Sequence, residues 1–254
     1  MHLSGMSMAI LSGLNLVIAQ PYRLSNPLRS RDALGNSETP VWYNTNWAGA
    51  VLNGTGVTSV SALVVVGKAE MPAGGKTSTE YSTTTWVGID GTVACDSWAL
   101  LQTGVTTYVQ NGKARYEAWY EWSPEPYIPF KGFVVGFGDT INMMVTATSA
   151  TSGVAIIQNL STGKSITQKF TGQAALCQNS AEWIVENFGS LVEQYPFANF
   201  TTVAFTNTTA TVGGKTPKLV DNTGSGIYGI KKNEKARTEC LTPSSSTVTC
   251  RFLQ

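Results

Sequence analysis

With 254 residues, a charged fraction of 13% and a formal net charge of +1, the chain is long enough for one large β domain or two ordinary ones and has no basic block for nucleic acid. From Pro40 onward eleven Lys and three Arg balance four Asp and ten Glu, so no long-range charge steering is implied. The only histidine is His2 and the four cysteines are scattered, which disfavours imidazole-based triads, histidine-bound zinc and paired C-x-x-C ribbons; phosphate-binding glycine motifs are missing too.

Along the chain, Ala9 to Ala19 comes first, an apolar run too short to cross a membrane. Val17 and Ala19 fit the small-residue positions of a signal cleavage site, so residues 1–19 read as a secretory signal, though without a basic start. Residues 20–43 hold Arg23, Arg29 and Arg31 with little β pattern, and read as a short propeptide or, equally on composition, a disordered tail. Residues 44–254 show neither repeat nor linker and read as one domain.

Alternation with period two predicts strands over 58–66, 84–89, 115–122, 140–148, 154–158, 165–170 and 201–205. In the third of these, Tyr116, Ala118, Tyr120 and Trp122 face one way and Arg115, Glu117, Trp119 and Glu121 the other. Turns carry Gly, Asn or Asp, as in Gln110-Asn111-Gly112. Ser180 to Glu186 is short and contains the β-branched Ile184 and Val185, which favours a strand over a helical turn. Many short strands without a βαβ rhythm predict an all-β, antiparallel sandwich.

Four N-x-[ST] sequons, at Asn53, Asn159, Asn199 and Asn207, together with the leader point to a secreted glycoprotein. Four cysteines in an exported chain read as two disulfides: Cys240–Cys250 closing a C-terminal hairpin, and Cys95–Cys177 across the fold.

The chemistry left to such a chain is a carboxylate and an amide. A glutamate takes a proton from water, and a glutamine amide donates hydrogen bonds to a developing oxyanion. Gln102 in Ala99-Leu-Leu-Gln-Thr-Gly104 and Glu186 in Ala181-Glu-Trp-Ile-Val-Glu186 are the candidates. Glu182 is the rival carboxylate.

These segments, taken in order with Asn46-Trp-Ala-Gly-Ala50, Trp86-Val-Gly-Ile-Asp-Gly91, Glu117-Ala-Trp-Tyr-Glu-Trp122 and Val145-Thr-Ala-Thr148, resemble the eqolisins, the fungal glutamic peptidases. The resemblance covers residues from about Asn44 to the C-terminus. It implies a concanavalin-like jelly roll of two bent antiparallel sheets and a secreted, monomeric acid endopeptidase acting on polypeptides. No cofactor, metal, nucleic acid or membrane is implied. By motif match Gln102 and Glu186 form the catalytic dyad, and Trp47, Trp86 and Trp119 line the substrate cleft. Asp90 and Glu121 stand near the dyad, to orient Gln102 or share its hydrogen bonds. Phe188 falls at the cleft edge because it follows Glu186 closely. Departures from the family pattern are Thr106 and Asn187 where Asp is frequent, Ser123 in place of a cleft Tyr, and a different loop over 189–195. The competing reading is a carbohydrate-active or carbohydrate-binding sandwich, with Glu121 and Glu186 as a glycosidase pair.

Overall fold

The computed structural model describes residues 32–34, 40–189, 194–216 and 218–254. The expected signal, most of the expected propeptide and part of the 189–195 loop therefore lie outside the described residues. In chain order the strands are β1 (Asp32–Leu34), β2 (Val41–Asn44), β3 (Trp47–Asn53), β4 (Ser59–Val65), β5 (Tyr81–Asp90), β6 (Leu100–Gln110), β7 (Lys113–Ser123), β8 (Ile128–Pro129) and β9 (Thr140–Ser149). They continue as β10 (Ser152–Asn159), β11 (Lys164–Phe170), β12 (Ser180–Glu186), β13 (Thr202–Val212), β14 (Lys218–Val220), β15 (Gly226–Lys232), β16 (Lys235–Ala236), β17 (Thr238–Ser244) and β18 (Thr247–Phe252). Among the described residues there is no helix.

The strands form two sheets. A ten-stranded sheet runs β1-β2-β15-β3-β12-β5-β6-β7-β8, with β16 on β15, and an eight-stranded sheet runs β11-β10-β9-β4-β13-β18-β17, with β14 on β13. Their pairings are antiparallel except that of β2 with β15. The all-β sandwich is as expected.

The period-two pattern explains the main core. On β4 and β9 every second residue is buried, and Val60, Val64, Ile141, Met143 and Val145 meet Val87, Ile89, Leu101, Val105 and Val185 of the other sheet. Trp183 spans the interface, and its indole N–H donates to the Ser61 carbonyl at 3.0 Å. Its backbone is crowded from behind, because a Cβ on Gly49 would stand 2.1 Å from the Trp183 carbonyl oxygen, so only glycine fits on β3 there.

The far face of the ten-stranded sheet is buried as well. Trp47, Val51, Trp86, Leu100, Trp119, Ile184 and Tyr228 form a second apolar cluster there. With both faces covered, β5 and β12 are buried at every position. Such strands lose their polar alternation, which is why β5 begins at Tyr81, three residues before the alternation starts. β13 likewise runs on to Val212, past an irregularity between Thr206 and Thr209 that breaks the pattern. Val41 to Tyr43, taken from composition as the end of a propeptide, form most of β2 and pair with β15.

Both disulfides form with the expected partners. Cys240 and Cys250 face each other across β17 and β18. Cys95, in the β5–β6 loop, joins Cys177 just before β12.

Candidate active site

Gln102 and Glu186 lie on the same face of the same sheet. On β6, Gln102 is opposite Gly88 of β5, which is opposite Glu182 of β12. Glu186 is four residues further along β12, opposite Thr84, which pairs with Thr106. Since side chains two or four apart share a face, Glu182, Glu186 and Gln102 all point away from the inter-sheet core. Both Gln102 and Glu186 are fully buried.

Glu121 connects them. It is opposite Gln102 on β7, and the Gln102 amide donates to its Oε2 at 3.1 Å. Glu121 and Glu186 border one small cavity together with Thr84, Thr106, Trp119, Tyr127 and Phe188. Its volume, about 10 Å³, has room for about one ordered water.

Two donors orient Glu186. Trp86 gives its indole N–H to Oε2 at 2.8 Å, and the Asn46 side-chain amide donates to Oε1 at 3.4 Å. Asn46 is itself fixed by Asn44, whose Oδ1 accepts from the Asn46 and Trp47 backbone N–H groups at 2.9 and 2.6 Å. Trp47 packs edge-on against Trp86 with ring centres 4.9 Å apart. Gly104 makes this crowding feasible: a Cβ there would stand 2.6 Å from Trp86 Cβ and 3.0 Å from the Trp119 ring. The indole N–H groups of Trp47 and Trp119 and the Gln102 Oε1 are buried without a hydrogen-bond partner. Such groups are rare in native proteins and mark places where a ligand or water is expected.

Asp90 is not part of this set. It sits in a left-handed turn at φ 70°, and its carboxylate accepts the Gln178 and Asn179 backbone N–H groups at 2.7 and 2.8 Å. Those bonds hold the β5 end against the segment leading into β12, so Glu121 alone takes the Gln102 amide. Burial raises the Asp90 carboxyl above its usual range, against the pull of those N–H groups.

Glu182 is fully buried, opposite Val51 and Gly88. Neither of its oxygens meets hydrogen-bond geometry, although the Ser180 hydroxyl is close enough to offset part of the cost. Burial pushes its carboxyl well above the usual carboxylate range, and the Asp90 charge adds to the push. It does not border the cavity at Glu186.

Trp47, Trp86, Trp119 and Phe188 are buried around Glu186 as an aromatic wall. The sites that sequence reasoning missed are Asn46, Thr84, Thr106 as a cavity wall, Glu117 and Tyr127. Asn46 stood inside a recognised motif, so a signal existed. Tyr127 sits among prolines, in a stretch with no periodicity to mark it.

A buried glutamate held by an indole and an amide stands beside a small cavity and a second carboxyl bonded to a glutamine, a set whose chemistry suits hydrolysis by an activated water. Comparison with known proteins agrees. The Peptidase A4 family model matches residues 45–252. Aspergillopepsin-2 of Aspergillus niger is 39% identical over 231 residues, covering 84% of this chain and 80% of the relative. Scytalidopepsin B of Scytalidium lignicola is 39% identical over 218 residues, covering 82% and 78%. The crystal structure of scytalido-glutamic peptidase with a transition state analog inhibitor aligns with a TM-score of 0.73 at 37% identity, covering 83% of this chain and 99% of that one. That of aspergilloglutamic peptidase from Aspergillus niger aligns at 0.62 and 38% identity, covering 68% and 99%. The chain belongs to the Peptidase A4 family, the eqolisins, and is a glutamic-type endopeptidase. A glycosidase role for the Glu121 and Glu186 pair finds no support in these relatives.

Proposed function

We propose that this protein is secreted and cleaves polypeptides at acid pH with Glu186 and Gln102 acting together. The observation that carries the reading is the water-sized cavity at Glu186, bordered also by Glu121, the carboxyl that holds Gln102. Glu186 takes a proton from that water, and the water oxygen bonds to the scissile carbonyl carbon. The Gln102 amide has two N–H groups, one spent on Glu121, and the other is free to donate to the oxyanion. Glu186 then passes its proton to the leaving nitrogen as the C–N bond breaks. The products are a carboxylic acid and an amine, and no covalent enzyme intermediate forms.

An acid medium suits this set. A glutamate side chain ordinarily titrates near about pH 4.3, whereas a histidine base, near about 6.5, is protonated and idle there. The glutamine amide stays a donor at any working pH. The test is casein or haemoglobin digestion at about pH 3 to 4, near that glutamate value. Gln102→Ala and Glu186→Ala each lower the rate by a factor on the order of 10² to 10³ while the protein stays folded. Pepstatin-type, chelating and thiol reagents leave the wild type active. If Glu186→Ala still digests at acid pH, the reading fails.

Secretion is supported by the two disulfides and the apolar N-terminal run. Glycans belong at Asn53 and Asn207, which are exposed. Asn159 is fully buried, with its amide nitrogen donating to Asp139 at 2.7 Å and its oxygen accepting from Ser161 and Thr162. Intact mass should fall by one glycan in Asn207→Gln and stay glycan-neutral in Asn159→Gln.

A further inference from the structure

We propose that Tyr127 is a positioning residue of this centre, whose ring roofs the cavity and confines the reacting water against Glu186. The inference rests on the reading of Glu186 as the base that activates this water.

Tyr127 lies in the connection between β7 and β8, one residue before the short strand β8. Its ring borders the same cavity as Glu121 and Glu186. It stands edge-on to Trp119 at 5.3 Å between ring centres and to Phe188 at 6.2 Å. A loop residue needs an anchor to hold such a position, and one is present. The Tyr127 hydroxyl donates to Glu117 Oε1 at 2.6 Å and lies 3.0 Å from the Tyr108 hydroxyl. Tyr108 donates to the same Glu117 oxygen at 3.2 Å. The Arg115 guanidinium stacks 3.6 Å above the Tyr108 ring and reaches Glu117 Oε2 at 3.5 Å. Glu117 is opposite Thr106, on the row of residues that runs through Thr84 to Glu186. The tether therefore ties a loop ring to the two strands beneath the reacting centre.

The consequence is kinetic. A water with room for one position and an apolar ring above it has few orientations to search. Without the ring the cavity is wider towards bulk water, and the oriented water is one of several. Substrate contacts elsewhere in the cleft remain, so the loss falls on kcat and not on KM.

The experiment uses the purified full-length secreted protein and a quenched peptide substrate at about pH 3 to 4, near the ordinary glutamate pKa. Tyr127→Ala is expected to lower kcat by about 30- to 100-fold, as small misplacements of reacting groups do, with KM within about threefold. Tyr127→Phe keeps the ring and loses the tether, so kcat falls by about three- to tenfold, the scale of one hydrogen bond. Glu117→Gln weakens the same tether and should match Tyr127→Phe. If Tyr127→Ala melts below the assay temperature, Tyr127→Leu replaces it with the same expectation. A rise in KM with kcat unchanged, or a Phe variant as damaged as the Ala variant, overturns the proposal. Wild-type kinetics in Tyr127→Ala also overturn it. Glu186→Gln is the control: if it stays active, the assignment of the base has failed, whatever Tyr127 does.

Discussion

Trp86 gives its single polar hydrogen to Glu186 from within a buried aromatic wall. An indole that orients a carboxyl does so without competing for its proton, because it only donates. Trp86→Phe keeps most of the ring volume and removes that bond. Hydrogen bonds to a charged group contribute about 1.5–3 kcal/mol, so kcat/KM should fall by roughly ten- to a hundredfold if the bond persists in the transition state. Steady-state kinetics together with a melting curve check this; an unchanged kcat/KM in a folded variant means the indole only packs. Gln102 and Glu186, which share one buried face, could be singled out residue by residue, because they stood in distinctive segments of a chain with almost no other reactive groups. What holds them in place was less legible. Asn46 acts through a side chain that meets Glu186 only after strands distant in sequence pair, and Tyr127, with its partner Glu117, reaches the cavity from a loop whose path no periodicity encodes.

At the level of the strand, β12 matters most, since it carries both Glu182 and Glu186. Its identity as a strand followed from Ile184 and Val185, and its limits agree with the segment read from sequence. Its burial on both faces did not follow, because a stretch with carboxyls at two positions reads as half-exposed. Glu182 lies in that buried stretch with its carboxyl pushed well above the usual range by burial, and Asp90 is raised as well. A carboxyl with a raised folded-state pKa is neutral in both states at low pH and adds no penalty there. As pH rises past the unfolded value, near about 4.3, the unfolded chain releases its proton first and stability falls until the folded-state pKa is passed. These two carboxyls therefore favour the folded state most in acid. Glu182→Gln removes one of these protons, so its melting temperature should match the wild type at about pH 3 and exceed it at about pH 7, on either side of that unfolded value. Each kcal/mol relieved is worth roughly 2–4 °C in a protein of this size. Parallel pH profiles for the two proteins would rule out Glu182 as the cause.

For the whole molecule, the two disulfides divide the work unequally. Cys95–Cys177 closes a separation of 82 residues and braces the β5–β6 loop to the approach of β12, whereas Cys240–Cys250 closes 10 residues within one hairpin. Chain-entropy arguments give about 4–5 kcal/mol for the first and about 2–3 kcal/mol for the second. Replacing both cysteines of each pair by serine should lower denaturation midpoints in that order, and only loss of the first should reduce activity in protein that is still folded. Equal losses in both would mean the bridge does not brace the site. The architecture itself was readable, because inter-sheet alternation on β4, β9 and β10 is strong; the second buried face, which makes the site, was not. Whether the two sides of that face act on one reacting water is tested most directly by a double-mutant cycle at acid pH. Gln102→Ala, Glu186→Ala and the double variant are compared by kcat on one peptide. Groups that serve a single transition state are strongly non-additive, so the double variant should be no more than about tenfold worse than the poorer single variant. Losses that multiply, or a Glu186→Ala protein with near wild-type turnover, would contradict it.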